Sequence, residues 1–426
     1  MMVDATRTFE LPSEIILRIF SFLIFEFDED EDGKQRQYRY AEARNIQRCS
    51  LVCRRWHNLT LRFIYREITL RSREDCIHLS RLLVSKHGIE KNIRALNFLK
   101  ETNMRPRPPN NSHLRWGPQD FVPVDEDDTF GARRSLAIRQ ANVASTSQHI
   151  MNLFSSFTAV TSLILMCRPW SIQYLDALIS ALPNLRQLHL DQVDVRDSTC
   201  LGKTSILPPI HNHNVPLRID TLFISLCGMW SIKTPQEFSS MIFFKWLLLP
   251  KFTTNLRCLH LAFETQLATA TQAFIDVTPN LQWLYISTDT TEGLQDINLR
   301  NLNGLQRFRL GAPTLDIACC LLISQLSSPP LEHIEFVPNT DEVYQSYLDE
   351  NESGPFYELA ESLNNKSIQQ IQRLTLYYDE EIEEAEAERL REEFDVTFKP
   401  FAERGAFSFA KFGWAAARDF QFPVPY

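Results

Sequence analysis

Apolar side chains recur along most of this chain in the order apolar-x-x-apolar-x-apolar. The motif stands at Ile93/Leu96/Phe98, Val160/Leu163/Leu165, Leu185/Leu188/Leu190, Ile219/Leu222/Ile224 and Leu256/Leu259/Leu261. It continues at Leu281/Leu284/Ile286, Leu305/Phe308/Leu310, Leu331/Ile334/Phe336 and Ile371/Leu374/Leu376. Alternation over its last positions is the period of a β-strand with one buried face. Between the motifs lie stretches of helical period: Ser135–Phe157, Tyr174–Leu182, Phe238–Leu249, Ala268–Val277, Ile317–Leu326 and Phe356–Leu363. Two of these run into Leu182-Pro183-Asn184-Leu185 and Thr278-Pro279-Asn280-Leu281. A proline there stops the helix, and the residues after it turn into the next strand.

Successive middle positions of the motif are 67, 25, 34, 37, 25, 24, 26 and 40 residues apart. Intervals of 24 to 26 residues fall in the leucine-rich-repeat range of about 20–29, and the longer ones must hold insertions. Helix and strand in alternation, at this period, predict an α/β fold: an irregular leucine-rich-repeat horseshoe over residues 66–378. The consensus asparagine after the strand is missing almost everywhere, so the horseshoe is expected to be uneven. Residues 101–130 hold five prolines and Asp125-Glu126-Asp127-Asp128 without periodicity, and read as a surface insertion. Residues 379–426 open with nine acids and two arginines over Asp379–Glu393, which predict a solvated helix.

Composition removes several classes of function. Acidic residues outnumber basic ones 53 to 44 in 426 residues, a formal charge of −9. General nucleic-acid binding, which depends on neutralising phosphates, is not expected. No two of the 12 glycines stand closer than seven residues, which excludes the glycine-rich loops that cradle phosphates. The greasiest stretches, Ile15–Phe27 and Met241–Leu249, are too short to span a bilayer, and the first residues lack the apolar core of a signal peptide. Nine cysteines without a pairing pattern point to a reducing cytoplasm or nucleus.

The amino terminus has a different pattern. Leu11, Ile15, Ile19 and Leu23 recur every fourth residue and make one helical stripe, which Ile16, Phe20 and Phe22 broaden. Pro12 suits a first helical turn, and Glu14 complements the positive end of the helix dipole. A second stripe, Ile46, Cys49, Val52/Cys53, Trp56 and Leu59, follows a charged segment at 26–44. That much apolar surface predicts two faces, one packed inside and one left for a partner.

Leu-Pro-x-Glu-Ile-x3-Ile-Phe-x2-Leu, followed by Ser-Leu-Val-Cys-Arg-Arg-Trp, resembles an F-box over residues 9–60. The resemblance implies a helical module, residues 1–65, that docks on a Skp-family adaptor and through it on cullin and RING subunits. It implies Leu11, Pro12, Ile15, Ile19, Phe20, Leu23, Val52 and Trp56 as adaptor-binding residues, with the Val52–Trp56 stretch as a supporting helix. It also implies that the repeats choose a protein for ubiquitin-dependent degradation. The family connects its helices by a few residues, so the insertion at 26–44 is a departure. A leucine-rich-repeat scaffold outside any ubiquitin ligase is the alternative reading.

No catalytic constellation emerges from the residues. There is no HExxH and no Gly-x-Ser-x-Gly, and His211-x-His213 lacks a further ligand nearby. No enzymatic activity, cofactor or metal is expected. The residues between the strand leucines are more informative, because they face away from the core. They read Gln187/His189/Asp191, Thr221/Phe223/Ser225, Cys258/His260/Ala262, Trp283/Tyr285/Ser287, Arg307/Arg309/Gly311, His333/Glu335 and Arg373/Thr375/Tyr377. Aromatic and arginine side chains dominate protein-interaction hot spots, so Phe223, His260, Trp283, Tyr285, Arg307 and Arg309 are the candidate substrate-binding residues. Truncating Trp283 and Arg309 is then expected to weaken a partner while leaving the fold intact.

Overall fold

Leucines spaced to fill one face of a strand, and polar residues filling the other, settle into a single-wound parallel sheet. The computed structural model describes residues 12–13, 15–16, 48–70, 73–85, 88–98, 154–166, 169–191, 194–196, 217–225, 243–263, 267–288, 290–312, 317–326, 330–338, 354–363, 371–378, 382 and 384–411. Its strands are β1 (Glu67–Leu70), β2 (Ala95–Phe98), β3 (Ser162–Met166), β4 (Pro169–Ser171), β5 (Gln187–Asp191), β6 (Asp194–Arg196) and β7 (Thr221–Ser225). They continue as β8 (Cys258–Phe263), β9 (Trp283–Thr288), β10 (Arg307–Ala312), β11 (His333–Pro338), β12 (Arg373–Tyr378) and β13 (Phe407–Lys411).

Eleven strands form one sheet in the order β1-β2-β3-β5-β7-β8-β9-β10-β11-β12-β13, and β4 pairs with β6 beside it. Every pairing is parallel. Spatial order therefore follows chain order, as stacked repeats require. The motif leucines align into rows on the core side: Leu163, Leu188, Leu222, Leu259, Leu284, Phe308, Ile334 and Leu374 are all buried. At the start of each repeat one carbonyl accepts two amides from the next. Arg257 O takes Gln282 N and Trp283 N, Gln282 O takes Gln306 N and Arg307 N, and Gln306 O takes Glu332 N and His333 N.

The helices Ile172–Ser180, Ala268–Asp276, Ile317–Ser324 and Gly354–Leu363 fall within a residue or two of the stretches that the apolar period marks. Thr278 ends one of them, donating its hydroxyl to Phe274 O at 3.0 Å just before Pro279. Asn184 ties its loop to the repeat before it through Thr158 O. Between β9 and β10, where the interval is shortest, a 3-10 segment Glu292–Asp296 stands in place of a helix.

Two elements lie beyond the expected limits. The acidic stretch folds as the helix Glu384–Thr397, which buries Ala387, Leu390 and Phe394. It is amphipathic and packed, not wholly solvated. Gly405, at φ 64, then turns the chain into β13, which pairs with β12. The array therefore does not stop at 378. At the other end β1 joins β2. All of 26–44, all of 101–130 and most of Ser135–Phe157 lie outside the described residues.

Candidate functional site

Two surfaces bear on function, the amino-terminal module and the sheet face away from the core. In the module, Ile15 N and Ile16 N both donate to Pro12 O at 3.2 Å, the first bonds of a helical turn begun by proline. Ile15 is 46% exposed and its neighbour Ile16 only 1%. One faces out and the other in, as a two-faced helix requires.

The second stripe is interrupted. Residues 48–49 are helical, and the chain then turns through Ser50–Val52. Cys53 takes an extended backbone (φ −160, ψ 167) and caps the helix Arg54–Ile64, its sulphur accepting Trp56 N. The expected single helix through Val52–Trp56 is thus corrected: Val52 sits in the turn, because Cys53 serves as the N-cap. Leu51 and Val52, 83% and 63% exposed, are presented at this turn. Arg55 Nη2 donates to Ser13 Oγ at 2.8 Å, so the two halves of the motif meet across 42 residues of sequence. Trp56 is half-buried and Pro12 exposed. Leu11, Ile19, Phe20 and Leu23 lie outside the described residues.

On the outward sheet face, register aligns the residues between the leucines into rows. The middle row reads Ile164, His189, Phe223, His260, Tyr285, Arg309, Glu335 and Thr375. Its rings touch in an unbroken series, tilted or edge to face, with centroids 3.7 Å apart for His189–Phe223, 4.0 Å for Phe223–His260 and 3.9 Å for His260–Tyr285. Arg309 then lies 5.5 Å from the Tyr285 ring and 5.4 Å from that of Tyr377. Glu335 accepts from Arg309 Nε at 2.5 Å and from Arg307 Nε at 2.9 Å. In the neighbouring row Arg307 pairs in register with Trp283, its guanidinium 5.5 Å from the indole ring.

All six expected substrate-binding residues therefore share one face on adjacent strands β7 to β10. Arg309 departs from the expectation. It is 1% exposed, and Glu335 is buried with it. Tyr285 of β9, Glu335 of β11 and Tyr377 of β12 enclose its long side chain, so it is a floor residue and not an accessible cation. The expectation that Arg309 can be truncated without harm to the fold is corrected accordingly. The chosen six also stop at β10, whereas the row that holds Trp283 and Arg307 continues through His333 and Arg373. The strand motif already sets both in this outward row, though neither is among the six.

Electrostatics make this face a neutral stack beside a cationic end. Burial pushes the His189 pKa down to about 4. His260 is driven well below its ordinary value by burial, with smaller contributions from His189 and Arg309. Burial likewise pushes the Cys258 thiol up to about 11, far from a reactive thiolate. His333 is lowered by burial and then by Arg307. Neutral rings and fixed ion pairs suit recognition by contact. Among the described residues no group of three or more His, Cys, Asp or Glu gathers to hold a metal ion, and no helix is long and apolar enough to cross a membrane.

Comparison with known proteins adds one firm point. Human 5T4 (Wnt-activated inhibitory factor 1, trophoblast glycoprotein) aligns structurally with 43% of this chain and 62% of its own, at 17% identity and a TM-score of 0.27. The alignment thus spans less than two thirds of that protein. No curated protein matches the sequence. Residues 8–71 match the family model described as F-box-like, so the amino-terminal module, with its outward Ile15, Leu51 and Val52, is an F-box-like module in front of a parallel repeat solenoid.

Proposed function

We propose that the chain is the substrate-recognition subunit of a Skp–cullin–F-box type ubiquitin ligase. The F-box-like module docks on a Skp-family adaptor, and the repeat solenoid holds the protein to be modified. The chain itself performs no chemistry in this reading, because the thioester steps belong to its partners. The observation that carries the proposal is the match over 8–71 together with apolar side chains held outward on both halves of the motif. Exposed apolar groups of this kind are ordinarily covered by a partner. Nine cysteines without a pairing pattern in the sequence support a reducing compartment, cytoplasm or nucleus.

The test uses Ile15→Asp with Val52→Asp. Both positions are exposed, so the fold tolerates the change. Buried against an adaptor, each carboxylate would cost several kcal/mol. Adaptor co-purification should be lost while the denaturation profile stays unchanged; undiminished co-purification rejects the assignment. Adaptor capture without cullin, or without any protein that accumulates on proteasome inhibition, would favour a scaffold outside a ligase.

A further inference from the structure

The row at the amino-terminal ends of the strands differs from the floor beneath it. From β9 to β12 it reads Trp283, Arg307, His333 and Arg373, on adjacent strands in register. Trp283, Arg307 and His333 are half-buried, and Arg373 is exposed. Over these strands the outward face carries Arg307, Arg309 and Arg373 against the single carboxylate of Glu335. Glu335 already accepts from both Arg307 and Arg309. Arg373 is therefore charge in excess of that trio. Glu332, just before β11, is exposed. A local positive field on a chain of formal charge −9 runs against the molecule's overall sign, and fields of this kind select partners of opposite charge.

We propose that the row Trp283–Arg307–His333–Arg373 docks an extended acidic segment of a partner protein, whose carboxylates meet Arg373 and Arg307 while an apolar residue lies on Trp283. The proposal rests on the reading that the solenoid receives a partner protein, and it names that partner's chemistry. Strands about 4.8 Å apart put Arg373 roughly 15 Å from Trp283. An extended segment crossing the strands covers that distance in about four or five residues. A guanidinium fork meets a carboxylate through two parallel hydrogen bonds, and exposed Arg373 is placed to do so. A flat indole beside it supplies apolar contact at little entropic cost. Carboxylates are preferred over a phosphate because the row spreads its cations across strands instead of converging them on one point.

The probe is a fluorescently labelled peptide of one leucine followed by four glutamates, titrated by anisotropy onto the full chain at low salt. Its glutamine counterpart, a phosphoserine-containing version and a short single-stranded oligonucleotide are run alongside. The glutamate peptide should bind, weaken with salt, and lose at least tenfold in affinity to Arg373→Glu. The glutamine peptide should bind at least tenfold more weakly. Arg373 is exposed, so the variant should unfold as the parent does. Absence of binding, equal binding of the glutamine peptide, or indifference to Arg373→Glu overturns the proposal. Tenfold tighter binding of the phosphoserine peptide or of the oligonucleotide at the same residues also overturns it, in favour of phosphate recognition. Adaptor capture by the same preparations separates the two readings: capture without peptide binding refutes this row alone, and peptide binding without capture refutes only the ligase assignment.

Discussion

Arg309 shows how a side chain's neighbours, more than its type, decide what it does. A guanidinium on an outward strand position reads as a binding group, yet here Glu335, Tyr285 and Tyr377 close over it. Removing it leaves a buried carboxylate with Arg307 as its remaining cation, and breaking a buried ion pair from one side typically costs about 3–5 kcal/mol. Arg309→Ala should therefore lower unfolding free energy by about 3 kcal/mol in urea, because Arg307 still partly compensates Glu335. Arg307→Ala should cost less, about 1–2 kcal/mol, because its side chain is partly exposed and Glu335 keeps Arg309. Equal costs for the two would show that the Arg309 pair is not enclosed. His189 gives a second residue-scale expectation. Its folded pKa of about 4 lies below the ordinary 6.5, so the unfolded chain binds the proton first as pH falls. Its contribution is full above pH 6.5 and is lost progressively down to about pH 4, on the order of 3 kcal/mol in total. His189→Phe should flatten the stability profile in that window, and an unchanged slope would place the titration elsewhere.

Two glutamines do for one repeat what a helix does for its neighbours. Between β9 and β10 the 3-10 segment leaves backbone groups at 297–299 in need of partners. Gln272, from the helix Ala268–Asp276, donates to Asn298 O and accepts from Asn298 N. Gln325, just past the helix Ile317–Ser324, accepts from Leu299 N at 3.0 Å and donates to Ile297 O at 3.2 Å. Each amide supplies the donor and the acceptor that the strip requires, and a carboxylate could supply only the acceptor. Gln325→Ala should cost about 1–3 kcal/mol and speed hydrogen exchange at Leu299, with no rescue by Gln325→Glu. Unchanged exchange would mean that water already satisfies the strip. No local pattern announces this bracket, because its partners come from three successive repeats. The strands were far more legible: nine carry apolar groups at every motif position and all nine pair in chain order. β1 and β13 escaped because Tyr65 and Arg404 stand where the others have an aliphatic side chain. Tyr65 packs against the core, and Arg404 lies over the Phe401 ring. The outward rows were readable in order but not in depth, since burial there depends on the reach of side chains from neighbouring strands.

A solenoid of stacked repeats has two ends, and each end exposes a core that must be closed. At the amino-terminal end β1 and the helix Arg54–Ile64 lead directly from the F-box-like module into the sheet. The module is thereby built onto the first strand, with two residues, Tyr65 and Arg66, between helix and strand. At the far end the amphipathic helix Glu384–Thr397 and β13 perform the closure. Phe394 packs on Phe356 at 4.6 Å and on Phe409 at 5.3 Å, and Tyr378 stacks on Phe409 at 4.7 Å. The acidic outer side of that helix faces water while its apolar side covers the last repeat. A chain ended after Tyr378, where the strand motif gives out, would expose Phe356, Leu374 and Leu376 and leave β12 as an unpaired edge. It should lose cooperative unfolding in its last repeats or aggregate, whereas Arg373→Glu in the full chain should do neither. Capture of the adaptor should survive the truncation, because the module lies ten strands away along the sheet and stacked repeats couple mainly to their neighbours. A truncated chain that stays monomeric and melts as sharply as the full one would show that β13 and its helix are an appendage, not the cap.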